Sequence, residues 1–382
     1  MRSRLLVSLE AEVNSASSET ARLEAVAKQS FYYACLGDDQ TMGRLIGEVR
    51  SRPVQTIGAR SVVWINLAEG VASHYAGRGS EACQKWERAC AVARALSMDG
   101  LESIGAAWLA FSAYLAEDLT ALERRALKAA AAGEECSDFG VSRLALTLGL
   151  CSHYCGNVST ARDWYSVSRM AALNQGDETA VAALIHSMAW MSVSVRRNSE
   201  LCGLEVLHVP SSLQVSSQSA ESYESLVGAM SASALTPLLT AQFDLLEGKW
   251  NDALQKISAN LHATSDYGFG RLNPGLLADR AFCLAKAGRE AEALDDAQRA
   301  LTEAQAQPQH RDDRAVLHSR LAQTFKLLGR NEQSMNQVLL AKDAWKAVAE
   351  FQSAMKEVLE RILGSEMLLK LKLRFLNRTV DQ

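Results

Sequence analysis

Tyrosine recurs at a fixed interval in the first half of this sequence: Tyr75, Tyr114 and Tyr154 are separated by 39 and 40 residues. Histidine precedes two of them, in the twin segments Ser73-His74-Tyr75-Ala76-Gly77 and Ser152-His153-Tyr154-Cys155-Gly156. Such side chains join a large apolar body to a polar tip, which suits binding better than bond breaking. The same offsets carried along the chain add Trp64, Arg143, His186 and Trp190 as neighbours. A wall of Tyr, His and Trp with one arginine is what a peptide or a small organic ligand needs. The same tyrosines could instead close each turn against the next element, with their hydroxyls in water, and the spacing leaves both readings open.

Other reactive residues point away from catalysis. Cys151 and Cys155 are four apart and share a helix face, but His153 between them points elsewhere and no second ligand pair of metal spacing stands nearby. They read as buried structural thiols, as do Cys83 and Cys90, so neither a metal nor a cofactor is expected. The sequence has no Gly-x-Ser-x-Gly elbow, no phosphate-binding glycine loop, no His-Glu-x-x-His and no dinucleotide fingerprint. Tyr267-Gly268-Phe269-Gly270-Arg271 reads as an ordinary connection between helices. The pairs Asp295-Asp296 and Asp312-Asp313 read as solvated faces or helix starts beside Arg299, Arg311 and Arg314. The expectation is a protein that is not an enzyme.

The elements that position these residues follow from a second regularity. Turn sites fall at Gly37, Gly77, Ala116 and Gly156, then at Gly248, Gly288 and Gly329, with spacings of 39 to 41 inside each run. Five residues after each comes a mostly small residue: Met42, Ala82, Ala121, Ala161, Ala253, Ala293 and Ser334. Seven residues before several stand Gly70, Gly149, Ala281 and Ala322, again small, as two closely crossing helices require. One further period places an eighth turn at Arg196-Arg197-Asn198. A fixed period of this size means stacked helical hairpins, each dependent on its neighbours to bury its apolar face.

Composition agrees. The 382 residues are 48% apolar and 22% charged, with 5 prolines and 6% aromatics, so a long helical core is affordable and strands are few. The formal charge of −4 is spread along the chain, which disfavours nucleic acid as a partner. Eight scattered cysteines fit a reducing compartment, and Glu10 and Glu12 interrupt the one signal-like start, so a cytoplasmic protein is expected.

The pattern divides the chain into an N-terminal array over 1–206, a serine-rich joint over 207–219, a C-terminal array over 220–363 and a basic tail over 364–382. Pro210 and five serines make the joint the segment expected to be most mobile. The last regular hairpin, about Arg311 to Val348, is expected to lead into a separate capping helix over Glu350 to Leu363. In the tail, Leu368 to Arg378 alternates basic with apolar residues, which suits a docked extension, an anionic membrane surface or a lead into another domain.

The turn glycines and their small neighbours resemble the tetratricopeptide repeat (TPR), in a long variant of about forty residues, similar to the helical arrays of bacterial signalling proteins. The resemblance covers roughly residues 20 to 350. It implies an all-α, right-handed solenoid of about eight antiparallel hairpins, with the first helix of each lining a concave groove. It places Trp64, His74, Tyr75, Tyr114, Arg143, His153, Tyr154, His186 and Trp190 in or beside that groove. The function expected first is a non-catalytic scaffold that binds a protein segment or peptide. The alternative is a sensory input module that binds a small molecule and controls an effector, such as a diguanylate cyclase domain, of which this sequence contains no Gly-Gly-Asp/Glu-Glu-Phe mark. Oligomeric state is open.

Overall fold

A computed structural model describes residues 3–203, 235–266, 270–306 and 309–376. The chain is all-α, with no strand among the described residues. Ten helices precede residue 204: α1 (Arg4–Asn14), α2 (Glu19–Leu36), α3 (Asp39–Arg50), α4 (Ala59–Tyr75), α5 (Gly79–Ala95), α6 (Asp99–Leu115), α7 (Leu119–Ala130), α8 (Asp138–Tyr154), α9 (Val158–Gln175) and α10 (Glu178–Leu201). Seven follow: α11 (Thr236–Leu246), α12 (Trp250–Asp266), α13 (Asn273–Lys286), α14 (Glu290–Ala306), α15 (Arg311–Leu327), α16 (Asn331–Leu363) and α17 (Glu366–Leu376). Among the described residues, 3–185 and 355–376 form one compact unit, and 186–203 with 235–354 form a second.

In the first unit the hairpins close by one repeated device. At the α8–α9 turn, Gly156 takes φ +79°, its N–H bonds the His153 carbonyl and the Asn157 N–H bonds the Ser152 carbonyl at 2.9 Å. This pairing satisfies the last carbonyls of the outgoing helix. The Asn157 side chain then accepts from the Thr160 N–H, starting α9. The same six-residue bond, from Arg78 to Ser73 and from Asp118 to Ala113, closes the α4–α5 and α6–α7 turns. The turn at Ala116 lacks glycine, and there Glu117 adopts the left-handed conformation at φ +54°.

Successive first helices pack side by side, α2 on α4 and α6 on α8, while each also packs on its own second helix. Close approach is built in by small residues: a Cβ on Gly149 would meet the Tyr165 ring at 2.5 Å, and one on Gly70 would enter the indole of Trp86. Helix α17 packs on α9 and α7, burying Leu368, Leu371 and Phe375. Lys372 meets Asp163 at 2.6 Å and Arg374 meets Asp138 at 2.9 Å. The tail is thus helical over its described part, and its apolar face is covered by this unit instead of being presented to a membrane.

In the second unit α11 pairs with α12, α13 with α14, and α15 packs on α13. Leu277, Ala278, Leu317 and Leu321 make a fully enclosed core between α13 and α15. Beside it, Asp279 and Arg320 form a buried pair at 2.8 Å, with Arg197 at 4.0 Å from the other Asp279 oxygen.

Three expectations change. Arg196-Arg197-Asn198 is not a turn: α10 runs through it to Leu201, and the left-handed residue is Gly203 at φ +77°. No break separates a last hairpin from a capping helix, because α16 continues unbroken from Asn331 to Leu363. Asp296 is not on a solvated face but is buried against Arg280, whose two nitrogens meet its oxygens at 2.6 Å each. The joint at 207–219 and residues 267–269 lie outside the described residues. No described helix is long and apolar enough to cross a membrane.

Candidate functional site

The inner face of the first unit converges on a cavity of about 30 Å³. Its lining comes from α2 (Phe31, Cys35), α4 (Tyr75), α6 (Trp108), α8 (Phe139, Arg143) and the start of α10 (Asp177, Thr179). Repetition of the hairpin explains the convergence: each first helix faces the same side, so side chains far apart in sequence meet there.

One wall is a stacked column. The Arg143 guanidinium lies 3.7 Å from the centre of the Trp108 ring and 5.1 Å from that of Phe111. Trp108 stacks on Trp86 at 5.2 Å between ring centres and 24° between planes. The arginine is held by cation–π attraction, worth about 0.5–2 kcal/mol, and its guanidinium makes no hydrogen bond or ion pair among the described residues. A second wall is apolar: Phe31 and Phe139 meet edge to face at 5.7 Å, and Trp64 packs on both, at 5.5 and 6.0 Å.

The floor is polar. Gly176 turns the chain in a left-handed conformation, and Asp177 caps α10. Its Oδ1 accepts from the Thr179 N–H at 3.1 Å, the Thr179 hydroxyl at 2.6 Å and the Ala180 N–H at 3.1 Å. Burial pushes the Asp177 carboxyl up, against these bonds and the charge of Arg143, which favour ionisation. Burial likewise drives the Cys35 thiol well above its ordinary range.

Of the residues expected in the groove, Tyr75 and Arg143 line the cavity and Trp64 builds its wall. His74 sits behind Trp108, 6.0 Å from that ring and 6.0 Å from Trp86. His153 occupies the equivalent place one pair of repeats later, with Nδ1 3.3 Å from the Tyr165 hydroxyl of its own hairpin. Both histidines therefore pack on the second helix of their hairpin. Tyr114 and Tyr154, half-buried at their helix ends, are not part of the cavity lining. His186 and Trp190 belong to the second unit, where they stack on each other at 6.2 Å. Cys151 and Cys155 are both buried, and burial pushes the Cys155 thiol up to about 11.

Periodic reading missed Trp108, Phe139 and Asp177, which supply a ring, a wall and a carboxylate. The sequence signal for Asp177 was the Gly-Asp pair before Glu178, a helix-start mark that also occurs as Gly37-Asp38 before Asp39. The chain matches no protein-family model and no curated protein, so the site itself carries the functional reading.

Proposed function

We propose that the chain is a non-catalytic, TPR-like binding module of the sensory kind, whose first unit captures a small polar ligand on its inner face. The observation that carries this reading is the Arg143 guanidinium, stacked on Trp108 at the edge of an aromatic cavity and given no ion-pair partner by the described residues. An arginine in a partly dehydrated place is costly unless something compensates it. Aromatic side chains that meet across this face favour a compact ligand over an extended peptide. Because the cavity is lined by several successive hairpins, occupancy would be felt as a change in their packing and passed to an effector or partner.

A thermal-shift screen of small metabolites tests the reading, run on the full chain and on Ala183→Trp, which fills the cavity from α10. At least one compound is expected to stabilise the wild type, by mass action, and not the filled variant. Equal shifts in both proteins would place binding elsewhere.

A further inference from the structure

Asp177 and Arg143 face the same cavity, yet they form no ion pair with each other. Asp177 is 6% exposed, and while Oδ1 takes three donors, Oδ2 has none among the described residues. Oδ2 is not sealed in the protein but reaches solvent-accessible space on a residue that lines the cavity, where an ammonium group is its strongest complement. Arg143 offers five N–H donors in a planar fork, and none is used by the described residues. Its natural complement is a carboxylate, taken bidentately.

A single ion answers only half of this. An anion on Arg143 would face the Asp177 carboxylate, and a cation on Asp177 would face the guanidinium, each at a Coulomb cost. A ligand carrying both charges satisfies both groups. Size narrows it further: a volume of about 30 Å³ corresponds to two or three water sites at roughly 10–15 Å³ each, less than a whole amino acid, so only the smallest could seat its charged groups there with the rest in the open mouth. The ring of Tyr75 beside it suits an ammonium group as well.

We propose that the cavity takes a small zwitterion, an α-amino acid of the size of glycine or alanine, with its ammonium on Asp177 Oδ2 and its carboxylate on Arg143. The proposal rests on the reading of this cavity as a binding site and names its ligand class.

The test is calorimetric titration of the full chain with glycine and L-alanine, against acetate and methylammonium as single-charge probes. One of the amino acids is expected to bind about tenfold or more tightly than either single ion. Asp177→Asn keeps a side-chain oxygen to cap α10, and is expected to weaken the amino acid to the level of acetate. Arg143→Gln is expected to weaken it to the level of methylammonium. Circular-dichroism melting establishes that each variant is folded, and either one alone suffices. The proposal is overturned if the amino acids bind no better than the single ions, or if a folded Asp177→Asn or Arg143→Gln binds them like the wild type. If neither amino acid binds while the metabolite screen yields a compound lost in Ala183→Trp, the zwitterion falls and the binding site stands. If glycine binds equally to Ala183→Trp, it binds elsewhere and the proposal falls.

Discussion

Gly70 lies under the indole of Trp86, so that no Cβ fits between α4 and α5 at this crossing. The pair sets the height of the whole column, because Trp86 carries Trp108 and Trp108 carries Arg143. Gly70→Ala is expected to destabilise the protein by about 1–3 kcal/mol through overpacking. Gly47→Ala, in α3 with nothing within 4 Å of the added methyl, is expected to stabilise it by about 0.4–1 kcal/mol. Urea unfolding of the two variants checks the contrast, and equal effects would remove the packing argument.

The buried pair of the second unit gives a larger effect. Asp279 and Arg320 have side chains only 1% and 3% exposed. Asp279→Ala strands two buried guanidinium groups, Arg320 and Arg197, and is expected to cost about 3–5 kcal/mol. Replacing Asp279 and Arg320 together by leucine and methionine should recover, in the same assay, the part of that loss due to Arg320, while the Arg197 part remains.

Two histidines set an acid limit. Burial holds His153 and His318 below the usual imidazole range, with Nδ1 of His318 2.7 Å from Gln337 Oε1. The unfolded chain takes up these protons near pH 6.5, before the native one does. Their contribution is therefore present above that pH and lost as pH falls through the lower native values. Substituting both by glutamine should flatten the fall in urea midpoint between neutral pH and pH 5, and an unchanged slope would falsify the assignment.

Asp177 has the opposite sign. Its carboxyl is raised in the folded state, although Arg143 and the Thr179 and Ala180 donors act the other way, with Glu178 adding to burial. Stability from this group is present at low pH and lost as pH rises through the native value. Asp177→Asn is accordingly expected to melt higher than the wild type at pH 7, with the gap closing on acidification.

Thiol labelling reads the packing directly. Cys202 is exposed, whereas Cys90, Cys136, Cys151, Cys155 and Cys283 are buried. Burial raises the Cys136 thiol to about 11 and those of Cys90 and Cys283 to about 12, so little reactive thiolate forms. Brief alkylation followed by mass spectrometry should modify Cys202 first and spare the buried five until denaturant is added.

The turns were legible because a left-handed residue recurs with the repeat: Gly77, Gly156, Gly248, Gly288 and Gly329 all have positive φ. The small residues after them are buried as the crossing demands, Ala82, Ala253 and Ala293 completely. Extrapolating the period failed at Arg196, since nothing local stops a helix there and α10 runs on to Leu201, before the left-handed Gly203. The cavity was harder to read for a different reason. Trp108, Phe139 and Asp177 hold unlike positions in their repeats, one in mid-helix, one in a first turn and one in a connection. Periodicity reveals equivalent residues, and a site made of inequivalent ones leaves no period.

Phe375, fully buried when α17 packs on α7 and α9, reaches its seat long after the seat is made. About 200 residues separate it from the end of α9 at Gln175, which at about 5–20 residues per second of synthesis is roughly 10–40 s. For that interval the nascent unit carries an uncovered apolar strip between two helices. A chaperone that shields this strip would therefore act while the intervening residues are being made, before α17 is available to cover it.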